Sequence, residues 1–546
     1  MISPEPHDHW YRRGTLYQIY PLSWADSNGD GFGDLPGILQ HLDYLYDGTA
    51  NSLGVTAVWL SPIYRSPMAD WGYDVADHCA VDPRFGSMAD FDRLLAEMHR
   101  RGMKLLLDFV PNHTSVEHEW FRESQASRQS AKRDWYIWAD PAADGGPPNN
   151  WLSKFGGSAW SLDEATGQYY LHTFLAQEPD LNWRNPAVRQ AMLAVLRFWL
   201  ARGVDGFRTD AVTSLLKDPQ LRDDPPNPDY RPSISDPADA NLRIYSSGRP
   251  GMEQLLGSLC EVVSPRNEER VLLSEIYVSL PHLQEFYAPC RRHPMHAPFN
   301  FNLLALEWSA AAFRSFIDEY EAALAPEDWP NYVLGNHDRP RLASRLGPDR
   351  ARLLIFLQLT LRGLPVVYYG DELGLESSVM DTTKSYDQPA QRWPAAVFDR
   401  DAARAPMPWQ QRGPRFGFST AQPWLPASLD SLEHNVATEE AQPDSLLQMC
   451  RRLIHLRASG EALAEGDYRS IESNNPDIFA YVRETTTMRC YVFLNFTGTK
   501  QTVILGRIGA WTAGTHLIEG DGVSHEGGPI ELEAYEGRLY ELRRGR

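Results

Sequence analysis

Residues 104–113 read KLLLDFVPNH. Apolar side chains at both odd and even positions bury both faces of a strand, the pattern of a parallel sheet covered by helices, and Pro111 ends it for want of an N–H. Working outward, similar runs precede it at Leu16–Tyr20 and Val55–Ser61 and follow it at Val204–Asp210, Val271–Ile276, Tyr332–Leu334 and Pro365–Tyr369. A weaker run near Pro298–Leu303 takes sixth place. Helix-length stretches separate them. Eight βα units spread over more than about 250 residues predict an α/β fold, the (β/α)8 TIM barrel.

Between the third and fourth runs lie residues 114–181, rich in Trp, Gly, Pro and Asn (DPAADGGPPNNWLSKFGGSAW), before helical periodicity resumes at Pro186. So long a connection inside a compact domain is usually functional, and it reads as a small lobe beside the site. Two further excursions, 221–250 and 376–408, are dense in Pro and Asp; the first reads as a lid or as an ordinary surface loop. After a helix near Ser445–Arg457 the segments IFAYVRE, RCYVFLNFT and QTVILG alternate with period two, as in an antiparallel β-sandwich. The expected division is a barrel over 1–113 and 182–464, an inserted lobe over 114–181 and a C-terminal β-sandwich over 465–546.

A chain of 546 residues is more than one small binding module, and 42% hydrophobic content excludes wholesale disorder. Asp and Glu number 72 against 52 Lys and Arg, a net charge of −20. That sign repels nucleic acid and anionic membranes, leaving a neutral small molecule as the expected partner. The most apolar stretch, Leu353–Tyr369, is interrupted by Gln358 and Arg362 and reads as a helix running into a strand, not a membrane span. The start, MISPEPHDHWYRRG, lacks the basic beginning and apolar core of a signal peptide. Cys79, Cys260, Cys290, Cys450 and Cys490 show neither a CxxC pair nor a zinc spacing, and are expected as reduced core thiols of a cytoplasmic protein. No oligomeric state follows from these features.

In a barrel, side chains at the C-terminal ends of the strands converge on one mouth. Here the runs close on Asp108, Asn112 and His113, on Arg208 and Asp210, on Glu275, and on Asn336, His337 and Asp338. A single carboxylate after a strand is more often a helix N-cap. Carboxylates from several strands, ringed by His, Arg and Asn, suit either a metal or glycoside hydrolysis with one acid and one base or nucleophile. Arg208 and Asp210 are two residues apart on one strand and so share a face. In DSNGDGFGD, Asp26, Asn28, Asp30 and Asp34, with the Phe32 carbonyl between them, have the oxygen-rich spacing of a calcium loop, although the twelfth position is Gly37 where an EF-hand has Glu.

The segments DFVPNH, GFRTD, SEI and GNHD, in this order and separation, closely resemble the signature segments of the α-amylase family, glycoside hydrolase family 13. The resemblance extends to YQIYPLSWADSNGDGFGDLPGI, VTAVWLSPIYRSPMADWGYD, FGGSAW, GQYYLHTF, EPDLNW, LPVVYYGDE and RDAARAPMPW, covering about Leu16 to Trp409, and is greatest to the branch holding α-glucosidases and oligo-1,6-glucosidases.

The resemblance implies a retaining enzyme with Asp210 as nucleophile, Glu275 as acid and base, and Asp338 as the third acid, which grips ring hydroxyls. Asp210 would raise the pKa of Glu275, and Arg208 would keep Asp210 ionised. His113 and His337 match histidines that bond the bound glucose, while Tyr73, Phe155 and Phe174 match aromatics lining its subsite. Asp70 and Arg404 resemble the pair that closes the far side of the pocket and makes the enzyme exo-acting. The first βα loop would hold a structural Ca2+ or Mg2+ on Asp26, Asn28, Asp30, Phe32 and Asp34. Ala211, small where α-1,6-acting relatives tend to have Val, inclines the reading to α-1,4 linkages. Glu178 stands where the QPDLN form has Gln, and Thr209 and Thr213 depart from the family pattern as well. The expected function is an α-glucosidase acting on short oligosaccharides or glucosides. Its alternatives are a glucosyltransferase or isomerase with the same site, and a non-catalytic carbohydrate-binding or ancillary protein.

Overall fold

The computed structural model describes residues 9–231, 237–265, 269–291, 296–381, 383, 385–392, 398–504, 511–512 and 529–544. The first eight residues of the chain, part of what was read against a signal peptide, lie outside them, as do parts of 221–250, 376–408 and the C-terminal region. Eight strands, β1 (Leu16–Ile19), β2 (Ala57–Leu60), β3 (Lys104–Phe109), β4 (Gly206–Thr209), β5 (Val271–Ser274), β6 (His296–Pro298), β7 (Asn331–Val333) and β8 (Leu364–Tyr368), form one sheet in the order β6-β5-β4-β3-β2-β1-β8-β7. Every pairing is parallel. The two ends of the order meet where Val333 N–H donates to the Asn300 carbonyl at 3.1 Å. The weak sixth run is thus shifted: its strand ends at Pro298, and Asn302–Ala305 is a turn of 3₁₀ helix.

The strands are buried on both faces, with only Lys104 part-exposed. Helices cover the outside. The helix Met88–Arg100 opens with a capping box between Ser87 and Asp90, and Pro186–Ala201 opens with the Asn185 side chain accepting from Ala187 N–H and Pro in the first turn. Leu353–Tyr369 divides as expected, into the buried end of the helix Pro348–Thr360 and then β8. Gly206 is fixed by space, since a Cβ there would collide with the Val271 carbonyl of the neighbouring strand.

Residues 114–181 carry a short helix, Glu119–Gln125, and an antiparallel sheet of Trp138–Ala139, Gln168–Leu171 and Trp160–Asp163. The 221–250 excursion is clasped to it: Asn149 Nδ2 donates to the Leu221 carbonyl, Trp151 Nε1 to that of Arg222, and Arg243 Nη1 to that of Leu152. Beyond the helix Leu446–Ser459, strands β9 (Asp467–Ile471), β10 (Ile478–Glu484), β11 (Met488–Asn495), β12 (Gln501–Ile504), β13 (Trp511–Thr512), β14 (Pro529–Leu532) and β15 (Gly537–Arg544) are antiparallel. Five form one sheet, β9-β10-β11-β15-β13, and β12 pairs with β14. Val503 and Leu532 from that pair share a core with Ile478, Ala480, Val482 and Phe493.

The expectation of five reduced thiols fails at one pair. Cys260, on the helix Met252–Val263, and Cys290 form a disulfide with Cα atoms 5.8 Å apart, while Cys79, Cys450 and Cys490 are outside it as thiols. Thirty residues separate the two, so the pairing is made by helix packing and leaves no short-range spacing to read. Among the described residues no helix is long and apolar enough to cross a membrane.

Candidate active site

The strand ends bring the expected acids together around one guanidinium. Asp108 on β3 lies in register with Arg208 on β4, and Arg208 Nη1 donates to Asp108 Oδ1 at 2.8 Å. The same Nη1 donates to Asp210 Oδ1 at 2.7 Å, while Nη2 meets Glu275 Oε1 at 2.8 Å. Trp59 Nε1 and Tyr73 OH fill the other oxygen of Asp108, at 3.2 and 3.0 Å. Asp108 is therefore the anchor of Arg208, and Arg208 is the tie between Asp210 and Glu275. The residue after Asp210 completes the link: Ala211 N–H donates to Glu275 Oε2 at 3.0 Å.

Burial sets the proton affinities. Glu275 is raised to about 7 chiefly by burial, with Arg208 opposing and the charge of Asp210 adding to it, so repulsion between the two acids is the smaller cause. Asp210 is raised to about 6, again by burial, against the pull of Arg208. Arg208 lowers its proton affinity without bringing it to the ordinary value. For Asp338 the push of burial is outweighed by His337, Arg400, Arg404 and Arg208, which hold its carboxyl below the usual range. Burial lowers His113 to about 4 and His337 to about 3, so both are neutral imidazoles near neutral pH. Gln18 Nε2 lies 2.8 Å from His337 Nδ1 and fixes that ring.

The three aromatic residues form a wall with the two histidines, Phe155 through Phe174. Tyr73 stacks on His337 with centroids 5.2 Å apart, and Phe174 meets His113 and Phe155 edge-on at 5.2 and 5.4 Å. One pairing is corrected. Asp70 does not pair with Arg404; its Oδ1 accepts from Arg400 Nη2 at 2.6 Å, and Arg400 is held in turn by Asp387. Arg404 donates to the His337 carbonyl at 3.0 Å and to Asp338 Oδ1 at 3.3 Å. Both arginines lie in RDAARAPMPW, four residues apart in one 3₁₀ turn, so the motif carries the signal without saying which one reaches Asp70.

Glu178, noted only as a departure, is fully buried in this wall. Its Oε2 accepts from Leu175 N–H at 2.9 Å, and its Oε1 lies 3.5 Å from His113 Nε2, neither of those last two atoms having a hydrogen-bond partner. Burial and then the charges of Asp70 and Asp74 raise its carboxyl well above the usual range.

In the first βα loop Asp26 Oδ1 accepts from the Asn28 and Gly29 amides, Asp30 Oδ1 from the Phe32 amide, and Asp34 caps the next helix through Gly37 N–H. Among the described residues the only three His, Cys, Asp or Glu ligand atoms gathered closely enough to share a metal belong to Cys260, Cys290 and His296. Both sulfurs there are spent in the disulfide, and His296 Nε2 faces Ser274 Oγ at 2.9 Å.

A barrel whose mouth gathers carboxylates from β4, β5 and β7 around an arginine is the architecture of a glycoside hydrolase. The chain belongs to the alpha-amylase family, glycoside hydrolase family 13: residues 18–466 match the description "Alpha amylase, catalytic domain". It is 38% identical over 514 residues to an alpha-glucosidase of Culex pipiens, covering 92% of this chain and 84% of that one. It is 35% identical over 571 residues to an oligo-1,6-glucosidase of Parageobacillus thermoglucosidasius, covering 98% and 99%. The solved structure of an alpha-glucosyl transfer enzyme, XgtA, superposes with a TM-score of 0.88 at 38% identity over 98% of this chain and 99% of that one.

Proposed function

We propose that the chain is a retaining, exo-acting α-glucosidase that removes terminal α-linked glucose from short oligosaccharides or glucosides, α-1,4 linkages being preferred. The observation that carries this is Arg208, one guanidinium touching both Asp210 and Glu275. It sets the two carboxyls side by side, as double displacement needs, where inversion needs a gap wide enough for water between them. Asp210 attacks the anomeric carbon as the glycosidic C–O bond breaks, and Glu275 delivers its proton to the departing oxygen. Glu275, now ionised, takes a proton from water, whose oxygen displaces Asp210 with the anomer retained. Asp338, held ionised, accepts from the sugar's ring hydroxyls. His113 and His337 bond the same glucose as neutral imidazoles, with Tyr73, Phe155 and Phe174 against its C–H faces. The Asp70–Arg400 pair closes the far end and admits only a chain terminus.

The likeness to a glucosyl transfer enzyme supports a second reading, in which an acceptor sugar replaces water in the last step. A panel of α-linked disaccharides with anomeric NMR of the products tests both: an α-configured first glucose supports hydrolysis, a new glucoside supports transfer, and a β-configured one rejects the mechanism.

The oxygen-only donors Asp26, Asn28, Asp30, the Phe32 carbonyl and Asp34 are of the kind a hard cation takes, although the Asp26 and Asp34 oxygens also accept hydrogen bonds within the protein. The proposal is a structural Ca2+ or Mg2+ there, supplying cohesion to the loop and no step of the chemistry. Chelation lowers the melting temperature if it is bound; an unchanged value identifies an acidic turn.

A further inference from the structure

Beside Glu275 the barrel mouth opens into a cleft of about 470 Å³. Its wall includes Tyr277, Phe301 and Asn302, and the only charged residues lining it are Arg339 and Arg345. Tyr277, two residues beyond the acid, and Phe301 stack face to face with centroids 4.2 Å apart and planes within 7°, so that each ring covers one face of the other. Arg339, the exposed neighbour of Asp338, lies over the Tyr277 ring at 5.2 Å. Among the described residues neither arginine forms an ion pair. Arg345 spends donors on the Pro340 and Leu334 carbonyls, and the Tyr277 hydroxyl accepts from Asn336 Nδ2. No carboxylate among the described residues lines the cleft itself; the acids whose charges reach the two arginines, Asp338 and Glu275 for Arg339 and Asp371 for Arg345, lie behind its wall.

The fork of a guanidinium matches the oxygens of a carboxylate or a phosphate, and an exposed one reaches a ligand without first breaking an ion pair. We propose that this cleft receives the departing or accepting group and selects partners that carry an anion, with the body of the group beside the Tyr277–Phe301 stack and its carboxylate or phosphate on Arg339. Arg345 adds a second positive charge to the field. The proposal rests on the reading of Glu275 as the proton donor to the departing oxygen, and it adds a substrate class to that reading: glucosides of acidic alcohols or of phosphorylated sugars.

The test compares 4-carboxyphenyl with 4-carbamoylphenyl α-glucoside, and trehalose 6-phosphate with trehalose, on the full-length protein and on Arg339→Gln. One charge-assisted hydrogen bond predicts a kcat/KM ratio favouring the anionic member by about 10-fold at low salt, shrinking as salt screens it. In Arg339→Gln the ratio falls by the same factor of about 10, and dividing the wild-type ratio by that of the variant cancels any intrinsic difference between the leaving groups. The pair that responds names the anion. Ratios unmoved by both salt and Arg339→Gln in both pairs overturn the proposal. Release of none of these aglycones is a different failure, that of the glucosidase reading, and the proposal falls with it.

Discussion

Ala211 holds Glu275 from a left-handed turn: its N–H donates to Oε2 at 3.0 Å with φ 44° and ψ 39°. An alanine in that region costs of order 1 kcal/mol, which the surrounding packing sustains. The strain lies between the proposed nucleophile and the proposed acid, so relief at Ala211 is felt at both. Ala211→Gly is expected to leave the melting temperature equal or higher while kcat falls several-fold, as the amide loses its fixed aim. A lower melting temperature with unchanged kcat contradicts this.

In the proposed mechanism turnover needs Asp210 ionised and Glu275 protonated. Burial raises the first to about 6 and the second to about 7, so activity is lost below the lower value as Asp210 gains a proton and above the higher one as Glu275 loses its own. The kcat/KM profile of the free enzyme is expected to be a narrow bell centred between them. Asp210→Asn and Glu275→Gln each lower kcat by about 10³-fold or more with folding intact, as circular dichroism and turnover will show.

Glu178 supplies a stability signature. Its carboxyl is raised by burial, so the folded chain holds that proton more tightly than the unfolded one. The stability it contributes is present below the ordinary Glu value and is lost as pH rises through the raised one. Glu178→Gln keeps the shape of the protonated acid without the titration. Its melting temperature is therefore expected to exceed that of the wild type at alkaline pH, by a margin that shrinks on acidification; a margin independent of pH refutes the assignment.

Selectivity for chain ends tests the corrected pair. Arg400→Ala removes the partner of Asp70 and is expected to match Asp70→Ala, each raising KM for maltose while long dextrins gain relative to it. Arg404 holds Asp338 and the His337 carbonyl, so Arg404→Ala is expected to depress kcat on both substrates alike. Equal selectivity changes in all three variants would mean that the two arginines act as one unit.

These outcomes mark where a sequence is readable. The strand ends were legible because apolar runs closed by Asp210, Glu275 and Asp338 carry their own position: once the barrel is granted, the mouth follows. His296–Pro298 was nearly illegible as a strand, being three residues long with Pro at its end. Arg400 was missed because two arginines four apart in one turn are equivalent until the loop is folded against Asp70. The disulfide left no trace at all, being the product of helix packing across 30 residues. Nor does a sequence say that burial outranks the neighbouring charge in setting Glu275, since that ordering depends on how completely water is shut out.

Asp70 and Arg400 stand 330 residues apart, one early in the barrel and one in a turn beyond its last strand. On the proposed reading, the length of sugar chain admitted depends on a segment whose described residues contribute no β-strand to the catalytic scaffold. Size preference is free to drift by exchange within that segment, provided that Arg404, which holds Asp338 from the same turn, is kept.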